Sequence, residues 1–291
     1  MGLSTASTAI ADEDCEAPSI GLALGSGGAG GLAHIAMLAV FEDLGIRPDA
    51  VAGTSIGAIV GSLYAAGLKA GEIQAVFREF GGSALDPLSG LADDGDAPGW
   101  RDLLEVDLAN GSFIDADPFL TFIAGKIQAR RFSELDIPVQ IIATNYWDGR
   151  EHVFREGDLF VAIKASMAVP GVFTPVRFDG KLLIDGGASN PLPLDLLSDH
   201  DIVVAIDVTG ARAQDDDDPP GLTDLLFKTF EIMQQSIIRS KIELEPPDIY
   251  IKPELNGIRL LHFDRVDRIV EQVRGDAEGL REKLQAIGRC K

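Results

Sequence analysis

Ser55 is the side chain in this sequence whose surroundings best suit covalent chemistry. It stands at the centre of the motif GTSIG, residues 53–57, after a short apolar run at 50–52 and before a helix-like run of small and apolar residues. In a strand–turn–helix context this Gly-x-Ser-x-Gly spacing forms a nucleophile elbow, which holds the serine hydroxyl out of the sheet. The helix N-terminus also directs free N–H groups and its positive dipole end at the serine. We therefore predict that Ser55 is a nucleophile.

A glycine-rich segment, GSGGAGG at 25–31, lies between an apolar strand at 20–24 and the next helix. Its spacing also satisfies the dinucleotide-binding fingerprint, which needs an acidic residue at the end of the next strand to bind the ribose. That strand ends instead at the serine motif, which disfavours a nucleotide site. Backbone N–H groups at a helix N-terminus can alternatively stabilise the oxyanion of an acyl-transfer reaction. This interpretation predicts an oxyanion hole made by Gly27, Gly28 and Ala29.

A serine nucleophile needs a base, and two candidates fit the sequence. Asp185 ends the apolar run LLID and precedes Gly186 and Gly187, which leave its carboxylate open. A partly desolvated carboxylate can accept the serine proton directly, because burial raises its pKa. The alternative is a Ser-Asp-His triad, for which His262 with Asp207 is the late histidine that fits the usual chain order. Asp185 is the favoured base.

The three motifs, taken in this order, resemble those of the patatin-like phospholipases. The resemblance also covers ASMAVPGVFTPV at 165–176 and NPLP at 190–193. It is far more specific than a single motif, because several segments match together. The motif glycines are Gly25, Gly30, Gly31, Gly53, Gly57, Gly186 and Gly187.

This resemblance implies a three-layer α/β fold with a mainly parallel central sheet flanked by helices. It implies that Ser55 is the nucleophile, that Asp185 is its only partner in a Ser-Asp dyad, and that the loop at 27–28 is the oxyanion hole. The implied activity is hydrolysis of lipid carboxylic esters without a metal or cofactor. The alternatives are a triad esterase that uses His262 and a non-catalytic nucleotide-binding or regulatory module. Gly30 departs from the family, which usually has Arg or Lys there, and this disfavours an anionic head group.

Helices and hydrophobic strands alternate along the chain, which predicts one layered α/β domain. We assign this domain to residues 19–291, with the core motifs at 20–210 and C-terminal helices at 221–287. Residues 1–18 are expected to form a disordered tail. Residues 81–118 lose periodicity and are rich in Gly, Asp, Pro and Ser, which predicts a flap beside the site.

Hydrophobic periodicity places the individual elements. The predicted strands are 20–24, 50–52, 138–143, 176–178, 182–184, 201–207 and 248–251. The predicted helices after the serine helix are 70–80, 157–169, 221–243 and 264–287.

The formal net charge of −21 argues against nucleic acid as a partner and against tight docking on anionic membranes. No apolar stretch is long enough for a transmembrane helix, and the first residues lack the basic and apolar regions of a secretory signal. Cys15 and Cys290 form neither a metal-binding spacing nor a disulfide framework, so a reducing compartment is the default. We predict a cytoplasmic protein with a lipid or other acyl ester substrate and transient membrane-surface contact. The sequence indicates no oligomeric state.

Overall fold

The computed structural model describes residues 17–81, 116–210, 222–258 and 260–287. The predicted N-terminal tail therefore lies outside the described residues, apart from its last two positions. The same holds for the predicted flap at 81–118, apart from its first residue and its last three.

A mixed sheet of eight strands forms the centre of the described structure. The strands are β1 (Ile20–Leu24), β2 (Ala50–Thr54), β3 (Val139–Asn145), β4 (Glu151–Phe154), β5 (Val176–Phe178), β6 (Lys181–Asp185), β7 (Ile202–Ile206) and β8 (Ile249–Ile251). Their order is β5-β6-β3-β2-β1-β7-β8, and β4 pairs with β3. The strands β3, β2, β1, β7 and β8 lie side by side in this order and are parallel to one another. The other three are antiparallel to their neighbours, β4 and β6 to β3 and β5 to β6. The parallel strands end at one edge, so the loops that follow them meet there.

Helices cover both faces of this sheet. They are α1 (Ala33–Asp43), α2 (Ile56–Ala65), α3 (Ala70–Gly81), α4 (Asp117–Ala124), α5 (Leu159–Ser166), α6 (Leu222–Leu244), α7 (Val266–Gln272) and α8 (Arg274–Ile287). Side chains alternate across a strand, so Leu22 and Leu24 of β1 join the larger hydrophobic cluster while Ala23 joins a smaller one. Every described helix except α6 contributes buried side chains to the larger cluster, whereas α6 packs Phe227 against it and contributes Ile238 to the smaller one. This is the predicted three-layer α/β fold.

In the described part of the chain, no helix combines the length and the apolar character that a membrane span requires. The predicted helix at 264–287 is two helices, because the backbone leaves helical geometry at Val273 (φ −95°, ψ 13°). Its side chain is fully buried there. The halves have different main neighbours, since α7 packs on α3 and the glycine-rich segment whereas α8 packs mainly on α1.

Candidate active site

Ser55 occupies the turn between β2 and α2. Its φ of 55° and ψ of −119° place it in a backbone region that residues with a side chain rarely adopt. A Cβ at Gly53 would lie 2.6 Å from the carbonyl oxygen of Gly57, and a Cβ at Gly57 would overlap the carbonyl oxygen of Leu24. Both positions therefore require glycine, as the motif predicts. The hydroxyl of Ser166 accepts a 2.8 Å hydrogen bond from the Ser55 N–H and so supports the turn.

The sheet register brings Asp185 to the same place. Along β3, Ile142 pairs with Thr54 and the next residue, Ala143, pairs with Asp185. The end of β6 therefore meets the end of β2, where the chain turns into Ser55. The two strands reach this point from opposite directions, because β6 is antiparallel to β3.

Asp185 is buried, with 1% of its surface exposed. Its Oδ1 accepts a 2.6 Å hydrogen bond from the N–H of Gly187. Its Oδ2 is also buried and makes no hydrogen bond of normal length to the described residues. Burial raises the pKa of Asp185 to about 6, while the nearby Ser55 hydroxyl and the hydrogen bond from the Gly187 N–H oppose this rise. The site thus joins a serine hydroxyl to a carboxylate that is a stronger base than an ordinary aspartate.

The glycine-rich segment at 25–31 follows β1 and lies beside the nucleophile. Within the described chain, no hydrogen bond engages the N–H of Gly27 or Gly28. Both glycines line a cavity together with the serine and aspartate side chains. The N–H of Ala29 donates instead to the carbonyl oxygen of Leu260 at 2.7 Å. Ala29 is therefore not a free donor, contrary to the prediction, and Gly27 and Gly28 are the available ones.

Steric demands within this segment differ from glycine to glycine. A Cβ at Gly27 would lie 2.6 Å from the carbonyl oxygen of Val208, and Gly28 has a φ of 56°. A Cβ at Gly30 would make only ordinary contact, 3.4 Å from Cδ1 of Leu255. Gly30 is buried, so an arginine at this position would have to enter the packing around Leu255.

His34, which lies in α1, holds the start of the glycine-rich segment through a hydrogen bond to its backbone. Its ring is fully buried, and its Nε2 lies 2.9 Å from the carbonyl oxygen of Gly25. Burial lowers its pKa to about 4, so the ring is neutral at pH 7 and donates its Nε2–H to that carbonyl. A helical histidine gives no sequence signal for this role, because the contact depends on how α1 packs.

The structure does not bring the alternative triad together. Asp207, at the end of β7, is fully buried and accepts hydrogen bonds of 2.5–2.9 Å from Thr209, Tyr250 and Lys252. His262 lines neither of the two described cavities that contain the nucleophile. Ser55 and Asp185 line one cavity, and His262 is not among the residues that line it.

Two cavities adjoin the nucleophile. The larger is partly open to solvent and is lined almost entirely by apolar side chains, among them Ile59, Phe80, Phe119, Met167, Phe173 and Phe263. The smaller is lined by polar side chains as well, including those of Ser26, Asp185, Glu231 and Gln234. An ester held at the serine can therefore place one side in an apolar cavity and the other in a polar one.

A sequence profile described as Patatin-like phospholipase matches residues 22–198, more than half of the chain and a span that contains all three motifs. The chain belongs to the patatin-like phospholipase family. An uncharacterized NTE family protein of Mycobacterium tuberculosis is 32% identical over 198 residues, which cover 67% of this chain and 51% of that relative. Lysophospholipase NTE1 of Pyricularia oryzae is 27% identical over 280 residues, which cover 87% of this chain and 18% of that protein.

This patatin-like chain thus spans about half, or less, of the length of these relatives. Among solved structures, VipD from Legionella pneumophila is similar to 92% of this chain, which aligns with 67% of VipD. That alignment has a TM-score of 0.49 at 13% sequence identity.

Proposed function

We propose that this patatin-like protein is a serine acyl hydrolase that cleaves carboxylic esters of lipids with a Ser55–Asp185 dyad. The observation that carries the proposal is that Ser55 and the buried carboxylate of Asp185 line one cavity, and that Ser55 also lines a neighbouring apolar cavity. Family membership and a relative named a lysophospholipase support the substrate class.

The reaction follows from these positions. Ser55 Oγ attacks the ester carbonyl carbon while Asp185 accepts its proton, and the N–H groups of Gly27 and Gly28 stabilise the oxyanion. Collapse breaks the bond to the alcohol oxygen, and Asp185 returns the proton to that oxygen. Water then gives a proton to Asp185 and attacks the acyl-serine. The carboxylic acid leaves, and the proton returns to Ser55.

Active-site labelling tests this proposal directly. A fluorophosphonate should form a covalent adduct with Ser55, and the same protein should hydrolyse members of a panel of lipid esters. Ser55→Ala should lose both properties. Ser62→Ala is the matched control, since Ser62 is a buried serine of α2, the helix that follows Ser55, and lines neither cavity. A wild-type protein that is not labelled and hydrolyses no ester would favour the non-catalytic module.

The pKa of Asp185 sets the expected pH dependence. Asp185 must be ionised to accept the serine proton, and burial raises its pKa to about 6. We expect kcat/KM for a neutral water-soluble ester to rise between about pH 5 and pH 7, with a midpoint near 6. The neutral His34, with a pKa of about 4, should not contribute in this range. A flat profile over this range would contradict Asp185 as the base.

Exposed large apolar side chains in the described structure lie mainly on two segments, the turn after β3 and the first half of α6. They are Tyr146, Trp147, Leu225, Leu226, Ile232 and Met233. The other large hydrophobic side chain that is exposed among the described residues is Leu244. A grouping of this kind indicates an interaction surface rather than scattered exposure.

Both segments pass the edge of the sheet at which the nucleophile lies. β3 continues beyond its pairing with Asp185, so the turn at 146–149 extends past the dyad. In α6, Gln234 packs against Gly187 at that edge and Ile238 lies in the core beneath the sheet. The first half of α6 lines the smaller cavity at this edge with Phe227, Phe230 and Glu231.

We propose that these two segments contact a neutral or zwitterionic lipid surface from which the substrate enters the site. Aromatic side chains with a polar atom, such as Tyr146 and Trp147, suit the boundary between water and apolar chains. The exposed apolar side chains of α6 can insert into the same boundary, as those of an interfacial helix do. The net charge of −21 disfavours an anionic surface.

Vesicle binding tests this surface. Trp147→Ala and Leu226→Ser should each weaken co-sedimentation with phosphatidylcholine vesicles by at least about fivefold, because each removes a large apolar contact. Leu244→Ser is the control, since Leu244 is 87% exposed at the opposite end of α6. Equal binding by all variants would contradict the proposal. Loss of self-association without any vesicle binding would assign the surface to a second copy of the chain.

A further inference from the structure

The smaller cavity beside the dyad contains polar side chains that the hydrolysis mechanism does not use. Ser26 comes from the glycine-rich segment, and Gln234 comes from α6. Both are buried, with 2% and 4% of their surfaces exposed. They line the cavity together with Ser55 and Asp185.

These groups meet around Gly187. A Cβ built there would lie 2.9 Å from Ser26 Oγ, 2.9 Å from Asp185 Oδ1, and would overlap Nε2 of Gln234. The absence of a side chain at this position thus lets the polar atoms converge. Gly187 is also the residue whose N–H donates to Asp185. The cluster therefore lies directly beside the carboxylate of Asp185.

Part of this cluster has no hydrogen-bond partner in the described structure. Ser26 Oγ is buried and unpaired there. The amide of Gln234 makes no hydrogen bond to the described residues, and it is accessible in the cavity rather than sealed inside the protein. Buried polar groups are nearly always paired, so the unpaired Ser26 hydroxyl beside an accessible amide indicates a ligand with its own donors and acceptors.

Charge narrows the chemistry of that ligand. Besides Asp185, the cavity contains the carboxylate of Glu231, whose Oε2 lies 3.3 Å from Nζ of the half-exposed Lys228. Two carboxylates at one cavity repel a phosphate or carboxylate group held next to the ester. Hydroxyl groups meet no such penalty, and each can both donate and accept.

We propose that this cavity binds the alcohol portion of the ester, and that Gln234 and Ser26 bind a free hydroxyl on that alcohol. This inference rests on the proposed function, since it requires an ester carbonyl at Ser55 with its acyl chain in the apolar cavity. The alcohol then extends toward the polar side. Glycerol-type esters with an unesterified hydroxyl are the preferred substrates, and Gln234 and Ser26 are specificity-determining residues.

A pair of esters with one acyl chain tests the assignment. The 2,3-dihydroxypropyl and the propyl ester of the same fatty acid differ only in the hydroxyls of the alcohol. The wild type should show a higher kcat/KM for the dihydroxypropyl ester. Gln234→Leu should lower the ratio of the two kcat/KM values about fivefold, as expected for one lost hydrogen bond. Ser26→Ala should lower it about threefold.

Gln235→Leu is the matched control. Gln235 is the next residue of the same helix, packs against Gly210, and lines neither cavity. It should keep the wild-type ratio. A Gln234→Leu protein that loses activity equally on both esters would overturn the inference, as would a wild type that does not prefer the dihydroxypropyl ester.

Failure of the underlying function gives a different result. If fluorophosphonate does not label Ser55 and neither ester is hydrolysed, the proposed hydrolase is wrong and this inference falls with it. If Ser55 is labelled and Gln234→Leu and Ser26→Ala both retain the wild-type ratio, only the assignment of the alcohol cavity is wrong. Thermal unfolding of each variant shows whether it is folded. Ser26→Ala removes a hydroxyl that has no partner, so it should fold normally.

Discussion

Asp185→Asn is expected to lower kcat by at least about a thousandfold, because the amide cannot accept the proton of Ser55. The replacement has nearly the same shape, and its side-chain oxygen can still accept the hydrogen bond from the Gly187 N–H. The protein should therefore fold. The loss should appear in kcat rather than KM, since the dyad acts on the reacting atoms and not on the rest of the substrate.

Steady-state kinetics on a neutral water-soluble ester measure this effect, with circular dichroism as the check on folding. His262→Gln is the comparison that separates the dyad from the alternative triad. It should retain most of the activity, because His262 lies outside both cavities at the nucleophile. An active Asp185→Asn protein beside an inactive but folded His262→Gln protein would show that the base is the histidine.

Gly27→Ala is expected to lower kcat by about 100- to 1000-fold, which corresponds to about 2.7–4 kcal/mol of lost transition-state stabilisation. The added Cβ would lie 2.6 Å from the Val208 carbonyl oxygen, so the backbone must shift and its N–H no longer points at the oxyanion. The substitution adds one methyl group and no charge. The change in kcat therefore reports the position of the Gly27 N–H rather than a change in charge.

Gly30→Ala is the matched control in the same segment. Its Cβ would make ordinary contact with Leu255 at 3.4 Å, so the segment should not need to move. Single-turnover acylation by an activated ester, followed for both variants and the wild type, compares the chemical steps. If folded Gly27→Ala acylates as fast as Gly30→Ala, the Gly27 N–H is not an oxyanion donor.

The parts of this candidate site that the sequence indicates are those whose constraints are local. The glycines around Ser55 are required by contacts between β2 and α2, which lie next to each other in the chain. Asp185 stands at a strand end before Gly186 and Gly187, and such patterns can be recognised without a structure. The alternation of strands and helices likewise predicts the layered fold.

The remaining parts depend on contacts between distant segments. The N–H of Ala29 is taken by the carbonyl oxygen of Leu260, which no property of the glycine-rich segment predicts. Gln234 reaches the cavity because α6 crosses the strand ends, and α6 has no motif of its own. The break at Val273 separates two C-terminal helices whose main packing neighbours differ. Periodicity within one segment contains none of this information.

The burial of Asp185 has a cost for the fold. In the unfolded chain its carboxyl group has an ordinary pKa of 3.8, whereas burial raises the native value to about 6. The native state therefore binds this proton more tightly, and the resulting stabilisation is present in full below about pH 3.8. It is lost as the pH rises to about 6, which removes about 3 kcal/mol of unfolding free energy. Above that pH the carboxylate is ionised and can act as a base, but the free energy of unfolding is lower. The same burial therefore determines both the basicity of Asp185 and the pH dependence of stability.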